Sequence, residues 1–333
     1  MTAFVDMEVG VKKIDIIIPV YKPGRGFLAL IDRLEHQTAA IHKIIIMNTE
    51  REYFDRLVEG TSFFEKYSNV CVHHLAKKDF DHGGTRRKGV EQSDAPVFVM
   101  MTMDAMPVDK YLVERLTAPL EREDVAVSYG RQTAGKDSGE IERFTRRFNY
   151  PEKGCEKSAK DMERLGIKTF FCSNVCAAYR RDVYDRLGGF IDHTIFNEDM
   201  IYAAGAIKAG YKIVYEAGAK VEHGHNYTYR QQFCRNFDLG VSQADHPEVF
   251  GAVSSEGEGA ALMKKTTAYL WKNKKRKLIP GLYISSCFKY AGYLLGKRYR
   301  RLPKNLVLKC TMSKEYWEQE RGSAKNGAET GKS

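Results

Sequence analysis

A chain of 333 residues with 43% hydrophobic and 11% aromatic side chains can build a large core, which excludes an intrinsically disordered protein. Its seven cysteines include no C-x-x-C pair, which argues against a disulfide framework or a structural zinc site and favours a reducing compartment. No signal-peptide pattern occurs at residues 1–13, and no run of uncharged apolar residues is long enough to span a bilayer. We therefore expect a cytoplasmic protein without a membrane span.

The positive charge is concentrated towards the C-terminus. Residues 259–314 contain fifteen Lys or Arg and no Asp or Glu. Because the whole chain carries a net charge of +10, the remaining residues together carry −5. The basic character therefore belongs to this segment, and the rest of the chain is mildly acidic.

The first part of the chain alternates strand-like and helix-like patterns. Residues 14–20 (IDIIIPV) and 43–47 (KIIIM) predict β-strands, and apolar spacing over 27–37 predicts a helix between them. This order predicts parallel strands joined by a right-handed crossover. No G-x-G-x-x-G follows the first strand, which counts against a nicotinamide or flavin enzyme.

A buried strand that ends at an aspartate follows a glycine-rich turn. We expect a helix over 50–66, a strand over 69–75, the turn and helix start over 80–89 (FDHGGTRRKG), and a strand over 98–103 (FVMMTM). Ligands of open α/β sheets bind beyond the carboxyl ends of the strands, so Asp104 is placed to hold a metal or a sugar nucleotide. The alternative is that Asp104 caps the next element, a common role for Asp.

The remainder of the chain continues the same alternation. We expect helices over 109–116, 181–187, 200–209 and 226–239, and strands over 125–129, 170–179 and 211–215. Residues 131–166 are highly charged with weak periodicity, which predicts a mobile, loop-rich excursion over the site. Glu198 and Asp199 begin a helix, where acids serve either as caps or as reactive groups. His223 and His225 lie two residues apart on a strand and can therefore face one ion.

Six segments, taken in order, resemble family 2 glycosyltransferases with the GT-A fold, and among these bacterial dTDP-rhamnose-dependent rhamnosyltransferases. The segments are IIIPVYKPG, FDHGGTR, TMDAMP, SNVCAAYRRDVYDRLGGF, FNEDM and HGHNYTYRQQF. The resemblance spans residues 14–243. It implies an α/β fold in which a mostly parallel central sheet is flanked by helices.

We expect three parts in the chain. A GT-A catalytic domain should occupy residues 1–250, with a nucleotide-binding half over 12–107 and an acceptor half over 108–250. A basic amphipathic helical extension should follow over 251–315. A disordered tail is expected over 316–333.

The resemblance implies a metal-dependent, inverting transferase. The expected reaction moves L-rhamnose from dTDP-rhamnose to a lipid-linked saccharide in cell-surface polysaccharide and cell-wall synthesis, with Mn2+ or Mg2+ as cofactor. Two alternatives remain open. One is a family 2 enzyme with another nucleotide sugar, such as a UDP-hexose. The other is a non-catalytic protein that binds a membrane or nucleic acid through a degenerate transferase fold.

The resemblance also assigns the reactive groups. Asp199 matches the general base, and Glu198 would orient it or the acceptor. Asp104 matches the metal-binding Asp-X-Asp motif, although no second carboxylate stands beside it. His223 or His225 is therefore expected to complete the metal site.

Further residues are assigned to the two substrates. Pro19, Val20 and Tyr21 would line the base and ribose pocket, and Arg86 would contact the diphosphate. Asn48 and Glu50 occupy the place where the family usually has an aspartate that contacts the nucleotide. The full set expected around the nucleotide sugar is Pro19, Val20, Tyr21, Asn48, Glu50, His82, Gly83, Gly84, Arg86, Met103, Asp104 and Ala105. Acceptor contacts are expected from Asn174, Arg230 and Gln231.

The basic segment has the pattern of a membrane-surface helix. Clusters at 271–277 (WKNKKRK) and 297–301 (KRYRR) flank residues 278–296, whose apolar side chains recur every three or four positions. This pattern predicts peripheral contact with an anionic leaflet at the inner face of the cell membrane, through residues 264–301. The alternative is a helical pair packed on the catalytic domain. No nucleic-acid-binding module accompanies the charge, so no nucleic acid is expected.

Overall fold

The computed structural model describes residues 13–135, 137–224, 227–251 and 256–318. Within these residues, nine strands form one sheet in the order β3-β2-β1-β4-β8-β6-β9-β5, with β7 paired to β9. The strands are β1 (Ile14–Tyr21), β2 (Lys43–Thr49), β3 (Val70–Leu75), β4 (Val97–Met101), β5 (Met106–Pro107), β6 (Val125–Thr133), β7 (Cys155–Lys157), β8 (Cys176–Arg180) and β9 (Lys212–Glu222).

The sheet is mostly parallel, as the sequence predicted. β1 pairs in parallel with β2 and β4, and β2 with β3. β8 runs antiparallel to both β4 and β6, and β9 is parallel to β6. Six strands therefore share one direction, and their carboxyl ends lie along one edge of the sheet. The same edge carries the residues that follow β1, β2, β4, β6 and β9.

Helices cover both faces of the sheet and form the C-terminal region. They are α1 (Arg25–Glu35), α2 (Arg51–Val58), α3 (Phe63–Lys66), α4 (His82–Glu91), α5 (Leu112–Thr117), α6 (Glu140–Asn149), α7 (Met162–Leu165), α8 (Arg181–Arg186), α9 (Glu198–Lys208), α10 (Tyr229–Asp245), α11 (Pro247–Phe250), α12 (Glu256–Lys272), α13 (Ile279–Lys297) and α14 (Lys304–Cys310).

Side chains alternate between two apolar cores, one on each face of the sheet. Ile16, Ile18 and Ile44 belong to one core, and Ile17 and Ile45 belong to the other. A fully buried parallel strand reads as a continuous apolar run because both faces are covered. This is why β1, β2 and β4 were recognisable in the sequence.

Several elements differ from the sequence expectation. The helix expected over 50–66 is two helices, α2 and α3, separated by a turn in which Gly60 has a φ of +69°. The strand expected over 170–179 is shorter, since β8 spans only Cys176–Arg180 and a 3-10 turn at Gly166–Phe170 precedes it. The strand expected over 211–215 instead continues to Glu222.

The charged region 131–166 is not simply a mobile loop. It contains the ten-residue helix α6, the strand β7 and the short helix α7. Phe144 of α6 stacks on Tyr269 of α12 with ring centroids 4.5 Å apart. The helix is stabilised by this distant partner, which local periodicity cannot reveal.

The C-terminal region packs on the preceding part of the chain through a third apolar core. Phe237 and Val241 of α10 contact Val307 of α14 in this core, together with Tyr316 and Trp317. Tyr316 and Trp317, the first residues of the tail expected to be disordered, are buried in this core. Residues 319–333 of that expected tail lie outside the described residues.

Helix α13 corresponds to the helix expected over 278–296. It lies against α10 so closely that glycines are required at the contact, as at Gly292 and Gly296. In the described part of the chain, no helix combines the length and the apolar character needed to cross a bilayer.

Candidate active site

Asp104 lies at the carboxyl edge of the sheet. β4 ends at Met101, and Thr102 N donates a hydrogen bond to Val175 O at 3.2 Å, beside the start of β8. Asp104 follows two residues later, with 38% of its side chain exposed. The expected position beyond the end of the strand is therefore found, and the carboxylate faces solvent.

Asp104 is paired with a histidine from the end of β9. His223 Nε2 lies 3.5 Å from Asp104 Oδ2, and His223 Nδ1 lies 3.0 Å from Gln132 Oε1. Gln132 Oε1 also accepts a hydrogen bond from Arg146. Because an amide oxygen only accepts, His223 Nδ1 carries the proton, and in the neutral ring Nε2 directs its lone pair towards Asp104.

This arrangement fits a divalent cation. A carboxylate oxygen and an imidazole nitrogen that face each other are two acceptors, which a cation bridges favourably. Metal-bound histidines usually donate their other ring N–H to a fixed acceptor, as His223 does to Gln132. His225, the other histidine expected at the metal, lies outside the described residues.

A second pair of acids begins helix α9. Asn174 N donates to Asp199 Oδ2 at 3.0 Å, and Asn174 Nδ2 donates to Glu198 Oε1 at 3.1 Å. Asn174 Oδ1 in turn accepts from Tyr179 OH at 2.6 Å. One buried asparagine therefore orients both carboxylates. The acids are more than helix caps, because each is held by a tertiary contact.

The two neighbouring acids have opposite pKa shifts. Burial and then the negative charge of Glu198 raise the pKa of Asp199 to about 7. Burial also raises the pKa of Glu198, but Arg86, His82 and Asn174 together lower it below its ordinary value. Arg86 Nε lies 3.2 Å from Glu198 Oε1. Glu198 is therefore ionised near neutral pH, whereas Asp199 exchanges a proton there, as a general base requires.

The two acidic centres belong to one hydrogen-bonded network. Gln132, which holds His223, donates to Ser173 Oγ at 3.0 Å. Ser173 precedes Asn174, whose N–H holds Asp199. Asp104 and Asp199 thus lie along the same edge of the sheet, and neither is enclosed in a core. Gln132 and Ser173 were not predicted from the sequence, since a lone Gln or Ser carries no recognisable pattern.

A pocket of about 310 Å³ opens beside the ends of β1 and β2. Of the residues expected around the nucleotide sugar, Tyr21 and His82 line it. Thr49, Lys77 and Phe80 line it as well, although none was predicted. Thr49 Oγ1 is buried and has no hydrogen-bond partner among the described residues, so it can bond a ligand.

Other residues expected around the nucleotide sugar do not line this pocket. Val20 and Ala105 are buried in the apolar core, so they can reach a ligand only through their backbone. Pro19, Gly84 and Met103 are not among the residues lining the pocket. A Cβ on Gly83 would lie 1.8 Å from Ile191 O, so this glycine is required for packing.

Asn48 and Glu50 contact residues of β3 and of the loop that follows it. Asn48 is fully buried and its amide nitrogen lies 2.9 Å from His74 Nδ1. Glu50 Oε1 accepts a hydrogen bond from the backbone N–H of Lys77. Glu50 and the amide nitrogen of Asn48 are therefore occupied by protein groups, whereas Asn48 Oδ1 is buried without a hydrogen-bond partner among the described residues. A direct nucleotide contact from either side chain stays a prediction.

Arg86 lies on α4, where it is 8% exposed. It donates to His82 O at 2.7 Å and pairs with Glu198. Its expected contact with the diphosphate stays a prediction, because its present partner is a carboxylate.

The expected acceptor residues are dispersed. Asn174 is buried beneath the two carboxylates. Gln231 forms a capping box with Thr228 at the start of α10, and Arg230 is exposed on the same turn. The structure therefore gives Asn174 an orienting role and Gln231 a capping role.

Another cluster of possible ligands lies at the opposite, amino edge of the sheet. His42 Nδ1 is 2.9 Å from Asp15 Oδ1, and Asp94 lies nearby. Asp94 is already paired with Lys43 at 2.7 Å and Lys13 at 3.7 Å. These contacts tie strand starts together, far from Asp104.

Comparison with known proteins gives consistent results. The model of the family described as glycosyl transferase family 2 matches residues 15–188. The O-antigen chain rhamnosyltransferase RfbN of Salmonella typhimurium is 38% identical over 309 residues, which cover 92% of this chain and 96% of that protein. The O-antigen chain rhamnosyltransferase WbaN of Salmonella anatum is 38% identical over 309 residues, covering 91% and 95%.

A solved structure shares the fold. It is the mannosyltransferase PcManGT of Pyrobaculum calidifontis in complex with GDP-Man and Mn2+. The TM-score is 0.57 at 12% identity, and the match covers 86% of this chain and 88% of that one. At this identity the similarity concerns the fold alone.

Proposed function

From the premise that this chain belongs to glycosyl transferase family 2, we propose that it transfers L-rhamnose from dTDP-rhamnose to a saccharide acceptor. The family and the GT-A fold expected from the sequence motifs are confirmed, and the chain is a glycosyltransferase. Two relatives named O-antigen chain rhamnosyltransferases, each 38% identical over more than nine-tenths of this chain, support the sugar and the role in polysaccharide synthesis.

One observation carries the catalytic proposal. Asp199 is a carboxylate with a pKa of about 7, held by Asn174 and adjacent to the ionised Glu198. In this reaction the proton of the acceptor hydroxyl passes to Asp199. The acceptor oxygen then bonds to the anomeric carbon on one side, as the bond from that carbon to the diphosphate breaks on the other. The anomeric configuration is therefore inverted.

Asp104 and His223 would hold a divalent cation, Mn2+ or Mg2+. When bound, such an ion offsets the negative charge of the departing diphosphate. Gln132 keeps the His223 ring oriented towards Asp104, because Gln132 Oε1 accepts a hydrogen bond from His223 Nδ1–H. Arg86 holds Glu198 in place beneath the site. On the acceptor side, we propose that Arg230 contacts the saccharide, while Asn174 orients the two carboxylates and Gln231 holds the start of α10.

The acceptor in this proposal is lipid-linked, and the enzyme works as a peripheral protein at the inner face of the cell membrane. Helices α12 and α13 expose Trp271, Tyr283, Phe288 and Tyr290 beside many lysines. Exposed aromatic rings next to cations suit the surface of an anionic leaflet. Residues 1–250 would form the catalytic domain, and 251–315 the extension that contacts the membrane.

The test measures nucleoside diphosphate release by purified protein offered dTDP-rhamnose, UDP-glucose or GDP-mannose, with Mn2+ or with a chelator. We expect release from dTDP-rhamnose that stops with the chelator. Asp199→Asn should lower the rate by about 10² to 10⁴-fold, the usual contribution of a general base. Asp185→Asn, a surface aspartate of α8, is the matched control and should retain the rate.

Each part of the proposal can fail separately. Release from UDP-glucose alone would show that the donor is wrong. Full activity of Asp199→Asn would show that Asp199 is not the base. A product that retains the donor's anomeric configuration would contradict direct displacement.

A further inference from the structure

The pocket beside β1 and β2 has a second wall that comes from the far end of the chain. Tyr21, Thr49, Lys77 and His82 line one side, and residues 312–316 line the other. This segment lies well beyond residues 15–188, which carry the family match. None of it was expected to take part in the reaction.

The segment is held against the catalytic part by specific polar contacts. Thr311 Oγ1 donates to Asp238 Oδ1 at 2.6 Å, and Met312 N donates to Asp238 Oδ2 at 2.9 Å. Asp238 is a buried residue of α10. Glu315 forms an ion pair with Lys77 across the pocket. The path of the backbone is therefore fixed at both ends of the segment.

Aromatic packing completes the attachment. Tyr316 stacks on His193 with ring centroids 4.5 Å apart and an angle of 15° between the rings. Trp317 packs edge-on against Tyr299 at 5.3 Å. Tyr316 and Trp317 are both buried, so the segment is an integral part of the fold at this point.

We infer that residues 312–316, the C-terminal wall, bind the nucleoside diphosphate part of the donor and help to select it. This inference rests on the proposed function and extends it. A pocket of about 310 Å³ lies at the lower end of small-molecule pockets, about 300 to 1,000 Å³, so it suits a nucleoside more than a whole nucleotide sugar.

The chemistry of the pocket matches that ligand. Tyr21 offers an aromatic face, and the buried Thr49 hydroxyl lacks a partner among the described residues. Lys77 and Lys314 lie on the two sides of the pocket, which the carboxylates of Asp81 and Glu315 also line. Asp81 is held by backbone N–H groups, and Glu315 is paired with Lys77. A phosphate would therefore compete with Glu315 for Lys77, and Lys314 supplies the second positive charge.

The experiment measures the dissociation constants of dTDP, UDP and GDP by calorimetry for the full chain and four variants. Ser313→Trp fills the pocket from the C-terminal wall, and Asn305→Trp adds the same ring on exposed α14. Lys314→Glu reverses a charge at the pocket, and Lys309→Glu reverses one on α14 away from it. Thermal unfolding is followed for each variant.

We expect dTDP to bind Ser313→Trp at least tenfold more weakly than the unmodified chain, and Lys314→Glu at least threefold more weakly. The two α14 variants should bind dTDP normally, and all four should unfold at similar temperatures. Normal dTDP binding by both wall variants would overturn the inference while leaving the donor assignment intact. If the unmodified chain bound none of the three nucleotides, the proposed donor class would fail, and the inference would fail with it.

Discussion

At the scale of single residues, the surroundings of two adjacent carboxyl groups shift their pKa values in opposite directions. Glu198 faces Arg86 and stays ionised, whereas Asp199 accepts hydrogen bonds from the backbone N–H groups of Asn174 and Met200. Adjacent acids whose pKa values are driven apart commonly divide the roles of base and charge. This difference supports the proposed roles, which are proton transfer for Asp199 and orientation for Glu198.

The pH dependence of the rate follows from this assignment. Asp199 acts as a base only when ionised, and its pKa is raised to about 7, so the rate should rise with pH and reach half its maximum near pH 7. In Glu198→Gln the negative neighbour is lost while burial remains, so the midpoint should move to lower pH. The measurement is kcat against pH for both proteins. An unchanged midpoint in the variant would contradict the assignment.

The proposed metal ligand His223 is held by Gln132. Gln132 Oε1 accepts a hydrogen bond from His223 Nδ1–H, and partners of this kind typically contribute 10- to 100-fold to metal affinity. We expect Gln132→Leu to weaken Mn2+ binding by about that factor, measured by titration of the folded protein in the presence of dTDP.

Ser173→Ala is the control for this change. It removes one of the partners of the Gln132 amide nitrogen and leaves the contact between Gln132 Oε1 and His223 in place. Its Mn2+ affinity should stay close to that of the unmodified protein. Equal losses in both variants would point to a general loosening of the site.

At the scale of elements, α13 is attached to α10 through glycines that let the two backbones approach closely. A Cβ on Gly292 would lie 2.2 Å from Phe233 O, and one on Gly296 would lie 2.1 Å from Phe237 O. Gly240 of α10 faces the same contact, where a Cβ would lie 2.4 Å from Tyr293 O. Backbones at this separation leave no room for a side chain between α13 and α10.

Substitution at this contact should therefore be costly. We expect Gly292→Ala to lower the free energy of unfolding by about 1 to 3 kcal/mol, as overpacking usually does. Gly281→Ala lies on the same helix, but its nearest neighbour is a tyrosine hydroxyl at 3.6 Å. It should be neutral or stabilise by up to about 1 kcal/mol through helix propensity. Urea unfolding of both variants provides the comparison, and equal stabilities would refute the close-packing explanation.

At the scale of the whole molecule, charge and exposed apolar surface coincide. Nine of the fifteen cations of residues 259–314 lie on α12, on α13 or between them, and these two helices expose Trp271, Tyr283 and Tyr290. Two expectations were open for this segment, a membrane-surface helix and a helical pair packed on the catalytic domain. One face of α13 does pack on α10. The packed face attaches the extension, and the exposed face remains available for a membrane.

Membrane contact can be tested with matched pairs of lysines. Lys274 and Lys277 are exposed between α12 and α13, whereas Lys153 and Lys160 are exposed on the catalytic part. Each cation near an anionic surface contributes about 1 kcal/mol, so neutralising Lys274 and Lys277 to Gln should weaken binding to phosphatidylglycerol vesicles by roughly 30-fold. The Lys153 and Lys160 double variant should bind normally. Sedimentation with vesicles measures both, and equal binding would exclude this surface.

Much of the fold followed from local patterns. The strands β1, β2 and β4 are continuous apolar runs, which is how a strand covered on both faces appears. The position of Asp104 followed from the end of such a run. Glu198 and Asp199 were recognisable because they begin a helix and match a known motif.

Other features depend on residues that are far apart in the chain. The helix α6 needs Tyr269 of α12, and the extended end of β9 needs the neighbouring strand β6. A charged segment with weak periodicity is predicted to be a loop when only its local sequence is considered. Asn174, Gln132 and Ser173 were missed as organisers of the site for the same reason, since a hydrogen bond leaves no periodicity in the sequence.

The amino-acid order by itself thus determined the parallel strands, the acids at their ends and the family. Folding alone decided how Asp104 and Asp199 are linked through Gln132, Ser173 and Asn174, and which residues line the pocket beside β1 and β2. Strand patterns arise from neighbours along the chain and are therefore written in it. The network and the C-terminal wall arise from groups more than twenty residues apart, which only packing brings within hydrogen-bond distance.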